Sequence, residues 1–305
     1  MKTKDWIAFI LLGLVWGSSF LWIKIGLEEL GPFTLVAYRL GFGLLGLAVV
    51  VLAQRPPAPK GLKLWAGLVL IGITNTALPF ILITWGELFI DSGVAAILNS
   101  TVPLFSMLIA HFFLQDERMS PSRLAGLGLG FFGVLLLVGR GISADGLTGS
   151  ALGQLAVLAA AVCYAGSGVF TRRNLRQVSP IFQAFLTVLT AELVIGMMVP
   201  VAESPVKVPS TPLTWIAVAW LGLLGSCVAY LLYFYLIQSA GATRAAMVTY
   251  TFPVVGITLG VIFLGEEFSL QLLLGAALVI AGVWIVNSNR KIRMPFRRTA
   301  PNPGD

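Results

Sequence analysis

Charged residues are scarce in this sequence, at 11% of its 305 positions. A soluble domain usually has about twice that share, because its surface has to be hydrated. Apolar residues make up 57% of the chain, and its 33 glycines are typical of membrane helices, where small residues let backbones approach closely. The composition therefore excludes an ordinary soluble domain, and we predict that lipid surrounds most of the protein.

Cysteine and histidine are also rare. Cys163 and Cys227 each lie inside an apolar run and are too far apart in sequence for a CxxC motif, so we interpret them as small buried hydrophobic residues. The only histidine, His111, cannot form a metal site alone. We expect no metal and no cofactor.

The motifs of membrane enzymes are missing as well. The chain has no HExxH, GxSxG or Walker motif, and it has a single mid-membrane carboxylate, Glu192. An integral-membrane enzyme acting on a lipid or isoprenoid substrate is the alternative interpretation. Lipid turnover by the purified protein, without exchange of any metabolite, would favour that alternative.

Ten apolar stretches are about long enough to cross a bilayer, which takes roughly 20 helical residues. They lie at about 6–27, 33–53, 64–88, 94–114, 123–138, 152–171, 181–201, 213–239, 243–264 and 270–287. Because lipid offers no hydrogen-bond partner to a strand edge, we predict an all-α polytopic membrane protein of ten transmembrane helices. We assign Gly126, Gly133, Gly275 and Gly282 to close packing of the fifth and tenth helices.

Lysine and arginine are distributed unevenly between the two sides that ten crossings define. With a cytoplasmic N-terminus, four of the twenty basic residues lie outside: Lys24, Arg39, Arg140 and Lys207. The bias predicts a multi-pass protein of the bacterial cytoplasmic (inner) membrane with both termini in the cytoplasm. The basic tail at 290–305 indicates topology, and nothing in the sequence points to a nucleic-acid partner.

The two halves of the chain resemble each other. Trp16 aligns with Tyr164 at an offset of 148 residues, and Pro103 aligns with Pro253 at an offset of 150. A nearly constant offset over half the chain indicates an internal repeat.

We therefore predict a first five-helix repeat at 1–140, a second at 149–289 and a basic cytoplasmic tail at 290–305. Five is an odd number, so the second repeat enters the membrane from the opposite side. Inverted-topology repeats are typical of secondary transporters. We predict a carrier that works by alternating access; a channel is the other alternative, which single-channel currents would reveal.

Several motifs follow one another in a fixed order along the chain. The first half has the Leu14–Phe20 segment LVWGSSF and Tyr38-Arg39-Leu40, and the second half departs from it with Ala165-Gly166-Ser167 in place of Gly17-Ser18-Ser19. Three motifs occur in both halves: the helices of Pro103 and Pro253, the acidic turns Asp116-Glu117 and Glu266-Glu267, and the span ends Gly133-Val134 and Gly282-Val283. In these residues the chain resembles the EamA-type family of the drug/metabolite transporter superfamily, which includes bacterial metabolite exporters. The resemblance implies two inverted five-helix repeats around a central cavity. It also implies export or exchange of small metabolites, often amino acids and related compounds, without ATP.

Polar and aromatic side chains inside the spans are the candidate substrate-binding residues, because polar groups are costly in lipid and face the bundle interior. The predicted set is Trp16, Ser19, Asn75, Asn99, Tyr164, Ser167 and Tyr250. Packing and hydrogen bonding between helices are their alternative roles. Pro103 and Pro253 each remove a backbone donor near mid-helix, and we predict hinges there.

Four ionisable residues lie within or beside the spans, and two of them have two interpretations each. Glu192 either carries a coupling proton or is a protonated carboxyl bonded to a neighbouring helix. Arg39 either binds a substrate carboxylate with two hydrogen bonds or, as we favour, extends to the outer headgroups. His111 is a candidate proton sensor, and Lys24 a predicted interfacial anchor.

Overall fold

The structure is a computed structural model, and it describes residues 3–113, 119–138, 142–143, 146–147, 149–240 and 247–288. The predicted acidic turn Asp116-Glu117, Arg140 and the tail at 290–305 lie outside the described residues. Helices form nearly all of the described chain, which confirms the prediction of a helical protein.

The helices follow one another in the order of the apolar stretches. They are α1 (Thr3–Leu27), α2 (Pro32–Gln54), α3 (Leu62–Gly86), α4 (Ser92–Phe113), α5 (Pro121–Val138), α6 (Gly149–Asn174), α7 (Pro180–Ala202), α8 (Pro212–Ala219, Trp220–Val228 and Ala229–Ala240), α9 (Met247–Leu264) and α10 (Leu270–Ser288). Within the described ranges, nine are long and apolar enough to cross a membrane. The apolar part of α10 is shorter, at Leu270–Val286.

One short element was not predicted. In the connection between α5 and α6, β1 (Ile142–Ser143) pairs antiparallel with β2 (Gly146–Leu147). Two-residue strands give no periodicity from which a sequence pattern could identify them.

Proline determines where several helices begin. Pro32, Pro180 and Pro212 each occupy the first turn of a helix, where no backbone donor is needed and the fixed φ suits the helix. At the start of α8, the Thr211 hydroxyl also accepts a hydrogen bond from the Thr214 amide at 3.3 Å. These local signals explain why the predicted ends lie within a few residues of the observed ones.

The two halves of the chain interleave. Helix α1 packs against α8 and α9, α2 against α7 and α8, α3 against α6 and α7, and α4 against α6 and α9. Helix α5 packs against α10, where a Cβ on Gly282 would lie 2.6 Å from the Gly126 carbonyl oxygen. On Gly133 it would lie 3.0 Å from the Gly275 carbonyl oxygen. The predicted glycine-mediated packing of α5 on α10 is therefore confirmed.

Four helices change geometry along their length. Helix α3 contains a π-helical turn at Ile73–Ala77, and α8 contains a longer one at Trp220–Val228. Helix α4 is interrupted between Asn99 and Val102, and α9 begins with a 3₁₀ turn at Met247–Tyr250. Such irregularities leave backbone groups outside the regular helical ladder, and π-turns are frequent at functional sites.

Candidate functional site

Helices from the two halves meet at the π-helical stretch of α8. The Trp16 indole Nε1 on α1 donates to the Gly225 carbonyl at 3.0 Å, and Arg39 Nε on α2 donates to the Ser226 hydroxyl at 3.2 Å. The Ser226 hydroxyl in turn donates to the Leu221 carbonyl at 3.0 Å, five residues back. The widened turn thus presents both a carbonyl and a hydroxyl to the first half of the chain.

Arg39 is buried inside the helix bundle, with 5% of its surface exposed. Its guanidinium carbon lies over the Phe80 ring, 3.8 Å from the ring centre, which is a cation–π contact. The favoured expectation, extension to the outer headgroups, is wrong. The ring of Phe80 and the hydroxyl of Ser226 hold the charge inside the protein instead.

Aromatic rings surround the indole of Trp16. Its ring centre is 5.4 Å from that of Tyr233, and 6.3 Å from those of Tyr230 and Phe252 in edge-to-face geometry. Tyr164, which aligns with Trp16 at an offset of 148 residues, lies close enough to Tyr230 for electrostatic interaction. Trp16 and Tyr164 therefore belong to one aromatic cluster that draws on α1, α6, α8 and α9.

The predicted serines also lie at contacts between the halves. Ser19 is buried and donates to the Val15 carbonyl at 3.2 Å, and a Cβ on Gly225 would lie 3.5 Å from its hydroxyl oxygen. Ser167 is buried and shares a 2.8 Å hydrogen bond with the Thr74 hydroxyl on α3. Ser19 thus adjoins the Arg39 site, and Ser167 adjoins the π-turn of α3.

The two predicted asparagines lie at the helix irregularities. Asn75 is half-buried within the π-turn of α3. Asn99 is buried at the end of the first segment of α4, and its side-chain carbonyl oxygen has no hydrogen-bond partner among the described residues. A buried amide oxygen without a partner is costly, so this group is available to a ligand or a water molecule.

Both predicted hinge prolines lie just after an irregularity. Pro103 is the second residue of the Val102–Phe113 segment of α4, and Pro253 is the third residue of the α-helical part of α9. In both cases the ring occupies a first turn, where the missing donor breaks no helical bond. The helices are therefore interrupted ahead of the prolines rather than bent at them, and the hinge role stays a prediction.

Tyr250 and Glu192 lie at other contacts. The Tyr250 hydroxyl donates to the Val283 carbonyl at 2.9 Å, which attaches α9 to α10. Glu192 is half-buried on α7, and a Cβ on Gly41 of α2 would lie 3.7 Å from one of its oxygens. The other oxygen of Glu192 is buried without a hydrogen-bond partner in the described chain.

Three carboxylates join the halves at one end of the bundle, which we call the carboxylate end. Glu203, after α7, accepts from the Phe33 and Thr34 amides of α2 at 2.8 and 2.9 Å. Glu266, after α9, accepts from the Ser92 and Gly93 amides of α4 at 2.6 and 3.0 Å. Both acids thus satisfy helix N-terminal donors of the other half, where the helix dipole also favours negative charge.

The third carboxylate is Glu29, between α1 and α2. It accepts from the amides of Ser210 and Thr211 at 2.8 and 3.4 Å, immediately before α8. Hydrogen bonds from the Thr211 side chain and the Ser210 amide lower the pKa of Glu29 to about 2, so the group is ionised at neutral pH.

Glu87 follows α3 at the same end and is fully buried. Neither of its oxygens has a hydrogen-bond partner among the residues described, although Lys24, Arg39 and Glu266 are near enough to interact electrostatically. Burial raises the pKa of Glu87 well above its usual range, and this effect exceeds that of the neighbouring cations. Burial therefore favours the neutral form of this carboxyl.

His111 has a structural partner. Its Nδ1 accepts a hydrogen bond from the Met119 amide at 3.2 Å, which joins the end of α4 to the start of α5. This bond requires an unprotonated Nδ1. The candidate proton-sensing role of His111 has no further support in the described contacts.

Several site residues were not predicted from sequence. Arg39 contacts Phe80 and Ser226 and interacts electrostatically with Glu87. No sequence pattern linked these three residues to Arg39. One sequence signal lies at the two π-helical stretches: Gly72 and Gly222 align at an offset of 150, and Gly72 immediately precedes the stretch of α3 while Gly222 lies within that of α8.

Comparisons with known proteins agree on a single family. The model of the EamA-like transporter family matches residues 4–139 and again residues 151–288. A probable amino-acid metabolite efflux pump of Escherichia coli is 27% identical, with 93% of this chain and 95% of that protein aligned. A probable terminal-alkyne amino-acid exporter of Streptantibioticus cattleyicolor is 29% identical, with 97% of each chain aligned.

Two further matches each cover more than 90% of this chain. The uncharacterized transporter YoaV of Bacillus subtilis is 26% identical, with 92% of this chain and 96% of that protein aligned. A crystal structure superposes on the fold with a TM-score of 0.68 at 19% identity, covering 94% of this chain and 98% of the other. That likeness shows a shared fold.

Proposed function

Because this chain belongs to the EamA-like transporter family and is a multi-pass membrane transporter rather than an enzyme, we propose that it exports an amino acid or a related small metabolite by alternating access. The interpretation as a lipid- or isoprenoid-directed enzyme is wrong, since the relatives are transporters and efflux pumps. The relatives include probable amino-acid metabolite efflux pumps and a probable terminal-alkyne amino-acid exporter, and their names support the substrate class.

The observation that carries the proposal is the convergence of both halves on one polar and aromatic site. Trp16 and Arg39 from the first half bond to Gly225 and Ser226 of the second. A ligand bound there contacts both halves, so its binding depends on their relative position. That dependence is what a carrier needs in order to couple ligand binding to a change of access.

Packing between the halves supports two inverted repeats at 1–140 and 149–289. A Cβ on Gly222 of α8 would lie 2.6 Å from the Arg39 carbonyl oxygen of α2. A Cβ on Gly72 of α3 would lie 3.2 Å from the Thr187 carbonyl oxygen of α7. Gly222 corresponds to Gly72 at the offset of 150, and Arg39 corresponds to Thr187 at the offset of 148. The two contacts therefore join corresponding positions, as a two-fold relation between the halves requires.

The contacts at the carboxylate end fit a carrier that is closed at that end. Glu203 and Glu266 each bond two backbone amides of the other half, so opening requires the loss of four charge-assisted hydrogen bonds. Export then requires that these contacts separate while others form at the opposite end. Pro103 and Pro253, next to the interruptions of α4 and α9, are the proposed hinges.

The orientation follows from the basic residues. We assign the carboxylate end to the outer face and both termini to the cytoplasm of a bacterial inner membrane, because sixteen of the twenty lysines and arginines then lie inside. Under this assignment the structure corresponds to a state closed to the outside.

Glu192 is the proposed proton-coupling group. It is half-buried on a membrane helix, and one of its oxygens is buried without a hydrogen-bond partner in the described chain, so that oxygen is free to take a proton. Proton coupling predicts that an inward-directed proton gradient drives export and that Glu192→Gln removes this drive.

The decisive experiment is counterflow in proteoliposomes. Vesicles loaded with one protein amino acid at a time should take up the same labelled amino acid against its gradient, with and without an imposed pH gradient. Exchange of one or more amino acids by wild-type protein, and not by empty vesicles, is the expected result. Absence of exchange for every amino acid would contradict the proposed substrate class.

A further inference from the structure

Arg39 is a buried charge without an anion in contact among the described residues. The guanidinium contacts a neutral hydroxyl, that of Ser226, and an aromatic ring, that of Phe80. Both contacts reduce the cost of burying a guanidinium, through a hydrogen bond and through the attraction of a cation to the face of an aromatic ring. Neither contact balances the charge. An ionised group inside a membrane protein is costly, and such groups usually mark a ligand site or a transport pathway.

The nearest acidic group does not neutralise it. Glu87 is close enough to interact with Arg39 electrostatically, but it forms no hydrogen bond with it. Burial also raises the pKa of the Glu87 carboxyl, which favours its neutral form. Tyr164 and Tyr230, the other titratable neighbours, are neutral phenols that leave the positive charge in place.

The orientation of the guanidinium leaves one edge available. Nε is occupied by Ser226, and the Phe80 ring covers one face. The terminal nitrogens remain, and Nη2 lies on the side of Gly225, where an added Cβ would be 3.8 Å away. That same Cβ would lie 3.5 Å from the Ser19 hydroxyl, so Nη2 and Ser19 border the same space beside Gly225.

A carboxylate fits this edge of the guanidinium, and it is the anionic group that amino acids share. Two parallel N–H donors from one guanidinium match the two oxygens of a carboxylate, and such pairs gain both energy and directional selectivity. The hydroxyl of Ser19 adds a third donor or acceptor beside them.

From these contacts we infer that Arg39 binds the carboxylate of the transported substrate, with Ser19 and Gly225 bordering the subsite. This inference rests on the proposed function and deepens it, because it names the group by which the carrier selects its substrates. A compound that lacks the carboxylate, such as an amino-acid carboxamide, is then a poor substrate.

Counterflow with paired probes tests the selectivity. Each protein amino acid that the wild-type protein exchanges is compared with its carboxamide. Loss of a buried, hydrogen-bonded charge partner typically weakens binding by roughly thirty-fold or more. We therefore expect the carboxamides to be exchanged at least about thirty-fold less efficiently than the acids, through a higher KM.

Variants at Arg39 test the assignment. Arg39→Gln should remove the preference for acids over carboxamides, and Arg39→Lys should retain part of it, because the charge remains without the paired donors. Arg123→Gln, at the other strongly buried arginine in the described chain, is the matched control and should keep the preference. A general loss of activity with an unchanged preference would indicate a structural role and overturn the inference.

A second variant keeps Arg39 and tests the subsite directly. Gly225→Ala adds a methyl group at ordinary contact distance from Nη2 and from Ser19, so the protein should fold normally. It should raise the KM for amino acids by about tenfold with little change in maximal rate. Gly168→Ala, where a Cβ meets nothing within 4 Å, should change neither value.

The outcomes separate the two proposals. Equal exchange of acids and carboxamides by the wild-type protein, or an unchanged KM in Gly225→Ala, would refute the carboxylate subsite and leave a carrier. Failure to exchange any amino acid would refute the proposed substrate class and the subsite with it.

Discussion

The contact between Glu266 and the start of α4 offers the sharpest test of closure at the carboxylate end. Glu266→Gln keeps the size of the side chain but replaces one acceptor oxygen with an amide nitrogen and removes the charge. In the protein, both oxygens accept backbone donors, from Ser92 at 2.6 Å and from Gly93 at 3.0 Å. The glutamine can satisfy only one of them.

The expected magnitude follows from these two bonds. A hydrogen bond to a charged group contributes about 1.5–3 kcal/mol, and the lower figure applies here because Glu266 is partly exposed to solvent. A loss of about 1.5 kcal/mol shifts an equilibrium roughly tenfold. Glu266→Gln should therefore raise the population open at this end about tenfold.

Thiol accessibility measures that population. Ser92 is fully buried beneath the contact and its hydroxyl has no partner in the described chain, so Ser92→Cys is a nearly isosteric reporter. In a background with Cys163→Ala and Cys227→Ala, a membrane-impermeant maleimide added outside intact cells should label the reporter about tenfold faster when Glu266→Gln is present.

The adjacent carboxylate supplies the control. Glu267 is exposed and has no described hydrogen bond, so Glu267→Gln removes the same charge at the neighbouring position and should leave the labelling rate unchanged. Equal rates for the two glutamine variants would refute a closing role for Glu266. Labelling only from the cytoplasmic side would refute the orientation.

Two further predictions concern packing and pH. Gly282→Ala should lower stability by about 1–3 kcal/mol, because the added Cβ meets the Gly126 backbone. The control is Gly128→Ala, whose Cβ meets nothing within 4 Å and which should be neutral or slightly stabilising. Melting temperatures in detergent compare the two variants, and equal values would contradict the packing argument. The hydrogen bonds that lower the pKa of Glu29 to about 2, the Thr211 side-chain bond first, stabilise the fold above the ordinary pKa of 4.5. The melting-temperature difference between wild type and Glu29→Gln should therefore be constant above about pH 4.5 and shrink as pH falls toward 2, and a difference that grows on acidification would contradict this reading.

The site was only partly predictable. Trp16 and Ser19 were identified because polar and aromatic groups inside apolar spans are exceptions that require a reason. Arg39 was noticed for the same reason, but its burial was missed. Whether a long cationic side chain extends to the headgroups or turns inward depends on its neighbours, and here these are Phe80 on α3 and Ser226 on α8.

The sequence alone determined where the helices are. Hydrocarbon thickness fixes the length of a membrane helix, and prolines such as Pro32 and Pro180 mark helix starts through purely local geometry. Tertiary structure decided which polar groups meet. Arg39 and Ser226 are 187 residues apart, and they meet because Gly43 and Gly222 let α2 and α8 touch and a π-helical turn directs the hydroxyl inward. Close approach between distant helices depends on the shapes of both surfaces at once, and no local pattern contains that information.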